Sequence, residues 1–207
     1  MSVDKIILRA LVSTLGAIVA LFAFMIIMLV SVYPSTMMEI TYDLGMDSSS
    51  VRYAERAYKR SNDVYYMAYA TEVAIGIDDY KKVESCGCKL IENVGFAQYC
   101  NEQDVLAEGI PQMQGSSYEQ FIYSQVCVAK YKNGKQEEAV DYAFSLIGNA
   151  FPKNNAVVAV VLTAKKNNDM VTLGKIKEKM EQKQGEVSEA DKETFDGIFA
   201  LVSGENG

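Results

Sequence analysis

From Ala10 to Tyr33 the chain runs for 24 residues without a charge, ALVSTLGAIVALFAFMIIMLVSVY, and only Ser13, Thr14, Gly16 and Ser31 interrupt its apolar character. No other feature constrains the fold as strongly. As a helix rising 1.5 Å per residue, the run is about 36 Å long and crosses a hydrocarbon core of about 30 Å with some tilt. A core helix of a globular domain would carry a polar face or stop sooner. The apolar region of a cleaved signal peptide is shorter, about 7–15 residues, and ends in an A-x-A-like site. Here Tyr33-Pro34-Ser35-Thr36 follows instead. The run is therefore expected to be an uncleaved signal-anchor helix in a lipid bilayer, that of the plasma (or inner) membrane.

Flanking charge sets the expected orientation. Lys5 and Arg9 precede the run, whereas Glu39, Asp43 and Asp47 follow it before the first cation, Arg52. The positive-inside rule then places the N-terminus in the cytoplasm and the remainder on the extracytoplasmic side. Gly16 and Ala20 stand at small-x-x-x-small spacing, a pattern that lets two membrane helices approach closely, so a homo-oligomer through this helix is one expected contact. The expected organisation is a cytoplasmic N-terminus over 1–9, the anchor over 10–33, a juxtamembrane linker over 34–47, a helical-repeat domain over 48–203 and a tail over 204–207.

Beyond the anchor, 18 Lys and Arg face 26 Asp and Glu, an acidic balance that argues against sequence-independent nucleic-acid binding. The chain has no His, which removes Ser-His-Asp and Cys-His triads and His-ligated metals. No Gly-rich phosphate loop, GxSxG elbow or EF-hand loop occurs. No cofactor, metal site or catalytic residue is expected, and the protein is read as a non-enzyme.

Apolar periodicity is helical throughout, and the three prolines, Pro34, Pro111 and Pro152, fall at expected boundaries. The fold class is accordingly all-α. The last helix is expected to start from an S-x-x-D box at Ser188 and Asp191. It would bury Phe195, Ile198, Phe199 and Val202 and stop at Gly204.

The chain also repeats internally. Residues 65–96 align with 121–151 at an offset of 56, so that Leu90-Ile91-x-Asn93 falls on Leu146-Ile147-x-Asn149 and the turn IDDYKKV on NGKQEEA. A third turn, NNDMVTL, follows 34 residues later, with an insertion around 94–115 lengthening the first interval. These residues resemble the tetratricopeptide family. The best unit runs from Glu119 to Pro152, with Tyr123, Val126 and Cys127 on the first helix, Gly134 in the turn and Ala139 on the second. Ala143 stands where a large aromatic is usual, and Tyr131 is one position late. The resemblance implies stacked antiparallel helix pairs presenting a binding surface. Small residues at Ala68, Ala70, Thr71, Ala74, Ala139 and Ala143 suit close helix packing independently.

Two groups of residues are candidates for function. Tyrosines crowd the stretch from Tyr53 to Tyr80, and Tyr58, Tyr65, Tyr66, Tyr69 and Tyr80 are expected to form a partner-binding face, since tyrosine is rigid and amphipathic. Among the four cysteines, a disulfide from Cys86 or Cys88 to Cys100 that closes a short loop is expected, since an extracytoplasmic compartment allows it, with Cys127 as a small packing residue. The whole reads as a membrane-anchored scaffold or assembly subunit that binds a partner protein outside the cytoplasm. Alternatives are an extracytoplasmic ligand or peptide sensor using a Tyr-rich groove, and an enzyme with a carboxylate/Tyr cleft.

Overall fold

A computed structural model of the protein describes residues 3–107, 117–147 and 155–204. Eleven helices and no strand occur among the described residues, so the fold is all-α. Pro111 and Pro152 lie outside them. The chain divides into two compact units, Met1–Asn62 and Asp63–Gly207.

The first unit contains α1 (Val3–Val32), α2 (Pro34–Asp43) and α3 (Asp47–Ser61). Within α1 the span Arg9–Val32 is long and apolar enough to cross a membrane, and none of it is buried in protein. Gly16 and Ala20 are exposed on it. Pro34 ends α1 because it has no N–H to offer the Val30 carbonyl, and it then serves as the first residue of α2, where no N–H is needed.

The segment 34–47, expected as a linker, is instead a helix and a tight turn. After α2 the chain reverses through Leu44, Gly45 and Met46. Gly45 adopts φ +68°, and N–H groups of Gly45 and Met46 return to the carbonyls of Tyr42 and Thr41. This is a Schellman ending, and only a residue comfortable at positive φ closes it without strain. Met38, Thr41, Ser50, Val51, Ala54 and Ala57 are buried in this unit, with the small residues of α3 allowing α2 to lie close. The turn escaped the sequence reading because apolar Leu44 and Met46 flank its glycine.

The second unit is built from three helix hairpins: α4 (Val64–Gly76) with α5 (Tyr80–Ile91), α7 (Tyr118–Lys132) with α8 (Gln136–Ile147), and α9 (Asn155–Lys166) with α10 (Met170–Lys183). Each pair is joined by three residues carrying the same Schellman ending. The left-handed residues are Asp78 (φ 55°), Gly134 (φ 81°) and Asn168 (φ 52°), spaced by 56 and 34 positions. The residue after each sends its N–H back five positions, Asp79 to Ala74, Lys135 to Lys130 and Asp169 to Ala164. The offsets read in the sequence are thus offsets of a backbone device. The extra length in the first interval holds α6 (Phe96–Ala107). Asp79 and Asp169 also cap the helices that follow, accepting from the N–H of Lys82 and Thr172.

Side chains fix one hairpin on the next. The Tyr131 hydroxyl donates to Asp169 Oδ2 at 2.8 Å, and Asn133 Nδ2 donates to the Tyr80 carbonyl at 3.1 Å. The small residues singled out in the sequence, Ala68, Ala70, Thr71, Ala74, Ala139 and Ala143, are all buried. Gly87 has a definite role: a Cβ built there would overlap Val126 Cγ2, so α5 and α7 meet where one of them has no side chain.

A final helix, α11 (Lys192–Ser203), packs Phe195, Ile198 and Val202 into the core formed with α7 to α10 and ends at Gly204 with φ +77°. Its start differs from expectation. Asp191 is the N-cap, and the Ser188 hydroxyl donates to the Asp191 carboxylate at 2.8 Å instead of capping the helix, because α11 begins one residue after Asp191.

Candidate functional site

The expected tyrosine face divides. Tyr58 lies on α3 in the first unit, and Tyr80 starts α5, where its hydroxyl donates to Asp78 Oδ1 at 3.0 Å. Tyr65, Tyr66 and Tyr69 remain together on α4, because positions i, i+1 and i+4 flank the buried stripe of Met67, Ala68 and Thr71. Their rings touch: Tyr65 meets Tyr66 edge-on with centroids 5.4 Å apart and Tyr69 at 6.4 Å.

The fold extends this group with residues the sequence reading missed. Tyr99 of α6 lies within electrostatic reach of Tyr65 and packs edge-on against Tyr118 of α7 at 5.7 Å; Tyr118 in turn meets Phe121 at 6.4 Å. Such tilted and edge-to-face pairs favour the ring quadrupoles and hold the aromatics in fixed orientations. The Tyr118 hydroxyl donates to Glu72 Oε1 at 2.5 Å and its N–H to Asp104 Oδ1 at 2.6 Å, which ties α4, α6 and α7 together under the row. Tyr65 is 47% exposed and Phe121 37%, so the row has an open side. Burial, reinforced by Glu72, pushes the Tyr99 phenol up to about 12, and burial with the Glu72 hydrogen bond pushes Tyr118 up as well. Both stay neutral at physiological pH. The row offers flat apolar faces and phenol hydroxyls, chemistry for holding a surface.

A second cluster surrounds Glu84 on α5. Its carboxylate accepts from Lys135 Nζ at 2.8 Å, Asn133 Nδ2 at 2.7 Å and Lys130 Nζ at 3.4 Å. Glu84 and Lys130 side chains are only 14% and 13% exposed. Lys130 also sits over the Tyr142 ring at 5.0 Å. Burial alone would raise the Glu84 carboxyl, but contacts with Lys135, Asn133 and Lys130 outweigh it and hold the group below its ordinary value. Beside these residues lies a cavity of about 500 Å³ lined by Lys81, Glu84, Ser85, Cys88, Asn133 and Lys135.

All four cysteines carry thiols, and the expected bridge to Cys100 is not formed. Gly87 does not break the helix, and α5 runs unbroken through Cys86 and Cys88. Cys88 faces Lys130, Tyr142 and Cys127, whereas Cys100 sits near Glu119, Asp104 and Tyr123, so the two thiols address different surroundings. Burial pushes Cys100 and Cys127 up to about 12 and raises Cys88, which keeps all three as poorly nucleophilic thiols. Alkylation of the native protein is expected to leave Cys86, Cys100 and Cys127 unmodified and to reach half-buried Cys88 slowly. Denaturant should open all four, as intact mass will show. Rapid modification of Cys100 before denaturation would contradict the packing of α6.

The second unit defines a class by geometry: an array of helix hairpins closed by repeated Schellman turns, carried on a chain with an apolar N-terminal helix. Comparison with protein-family models, with curated proteins and with solved structures finds no match.

Proposed function

We propose that this protein is a membrane-anchored helical-repeat scaffold or assembly subunit of tetratricopeptide type, without enzymatic activity. In this reading its N-terminus is cytoplasmic and its helical domain holds a partner protein outside the cytoplasm. Three features support it. The α1 span suits a bilayer in length and polarity. Two of the hairpin turns are spaced by 34 residues, the length of a tetratricopeptide unit. The aromatic row from Tyr65 to Phe121 carries the reading, because half-exposed aromatics fixed by hydrogen-bonded neighbours supply contact area at low entropic cost. Pairing of α1 through Gly16 and Ala20 would add a homo-oligomeric contact.

The test places a photo-crosslinking amino acid at Tyr65 in the full chain in its native membrane. A discrete, stoichiometric adduct is expected, and it should fall at least about tenfold when Phe121→Ser is added, the loss of one interface anchor. Phe121 is partly exposed, so circular dichroism should stay unchanged. No adduct, or an adduct indifferent to Phe121→Ser, would refute the binding face. The cavity beside Glu84 favours a second reading, a small-ligand sensor. A thermal shift on ligand addition that disappears in Lys81→Ala would favour that reading over the scaffold.

A further inference from the structure

We propose that the first unit contains a binding site for the phosphate of an anionic phospholipid, formed by Arg56, Lys59 and Arg60 at the end of the apolar helix. The site rests on α1 lying in a bilayer, and not on the partner-binding reading. Pro34 removes the N–H that the Val30 carbonyl would otherwise receive, and the carbonyls of Ser31 and Val32 stand at the exposed end of α1. Arg60 reaches back 28 residues and donates from Nη1 to the Val32 carbonyl at 2.7 Å and from Nη2 to the Ser31 carbonyl. Arg60 is thereby held in the wall of a cavity of about 400 Å³, lined by Val30, Ser31, Pro34, Arg56, Lys59 and Arg60. Three cations and no carboxylate line it.

The local charge calls for an anion. Arg56, Lys59 and Arg60 occupy positions i, i+3 and i+4 of α3, one solvent-facing side opposite buried Val51, Ala54 and Ala57. Like charges at that spacing repel one another. Lys59 and Arg60 complement the dipole at the C-terminal end of α3, but Arg56 lies a turn earlier and that account does not reach it. Among the described residues none of the three is ion-paired with a carboxylate. Arg56 instead lies over the Tyr53 ring at 5.4 Å.

Depth selects the source of the anion. The span Arg9–Val32 is 24 residues, about 36 Å as a helix, against a hydrocarbon core of about 30 Å. Ser31 and Val32 therefore emerge at the level of the phosphates. Guanidinium groups bind phosphate oxygens bidentately, and Val30 with Pro34 adds apolar side chains to the lining.

The full-length protein is reconstituted into nanodiscs of phosphatidylcholine with a minor fraction of phosphatidylglycerol. Lipid retained after gentle detergent extraction is then read by native mass spectrometry. Wild type should retain phosphatidylglycerol in preference to phosphatidylcholine. Arg56→Gln with Lys59→Gln, which leaves the Arg60 contacts to α1 intact, should reduce that preference by about 10- to 30-fold, the weight of two cations at a membrane surface. Equal retention by wild type and variant would overturn the site. Displacement of the retained lipid by millimolar inorganic phosphate would show a free-oxyanion site and overturn the lipid assignment. If wild type does not enter the discs, the membrane reading falls and this site with it; entry without headgroup preference removes the site alone.

Discussion

Gly87→Ala is expected to destabilise the second unit by about 1–2 kcal/mol, although alanine is the better helix former by about 1 kcal/mol. The steric term decides the sign. The new Cβ would overlap Val126 Cγ2, and Val126 is fully buried, so relief requires α5 and α7 to move apart. Overpacking of this kind costs about 1–3 kcal/mol. Gly87→Leu should prevent the unit from folding at 37 °C. Trimming the partner tests the cause: in Gly87→Ala with Val126→Ala the two changes should couple favourably by about 1 kcal/mol or more. Gly174 supplies the control, because it is exposed in mid-α10 and a Cβ there meets nothing within 4 Å. Gly174→Ala should stabilise by about 0.5–1 kcal/mol. Thermal unfolding of these variants and of Val126→Ala alone, which completes the cycle, measures all of this. A stabilised Gly87→Ala would show that the two helices do not meet as closely as their backbones indicate.

The same glycine illustrates what the sequence could convey. Gly87 sits between two cysteines, and by propensity it reads as a helix break. The need for Gly87 arises from Val126, 39 positions away, and no local pattern records that contact. The hairpin turns were legible because their device is local: Asp78, Gly134 and Asn168 are residue types that tolerate positive φ, set between helical patterns at matching offsets. Gly45 uses the same device, but Leu44 and Met46 disguise it, so the sequence pattern does not announce α2 or its turn. The aromatic face was half legible. Tyr65, Tyr66 and Tyr69 are neighbours along one helix, whereas Tyr99, Tyr118 and Phe121 join them only after α6 and α7 are placed. Orientation is a further case. Arg56, Lys59 and Arg60 fold back to the end of α1, yet they lie more than 20 positions beyond Val32. Cations orient a membrane helix when they fall within about 15–20 residues of its ends. The expectation of a cytoplasmic N-terminus therefore rests on Lys5 and Arg9, and the later cations bear on what the folded protein binds.

Glu84→Gln is expected to cost about 2–3 kcal/mol at neutral pH, and the cost should shrink in acid. The carboxylate accepts three hydrogen bonds from Lys135, Asn133 and Lys130, and Lys130 is nearly buried. A glutamine would leave that ammonium with only the exposed Glu138, at 4.0 Å, as a counter-charge. The sign of the pH dependence follows from the lowered position of the Glu84 carboxyl in the folded state. In the unfolded chain it titrates near 4.5, and in the folded protein lower. Stability from the charged carboxylate is therefore complete above about pH 5 and is lost as pH falls through the folded value, because the unfolded chain takes up the proton first. Unfolding of wild type should show a steeper loss between pH 5 and 3 than unfolding of Glu84→Gln, and the two curves should converge at the acid end. Added salt should change the difference little, since partly buried pairs are weakly screened. Parallel curves separated by a constant offset would mean that Glu84 contributes shape and hydrogen bonding without its charge.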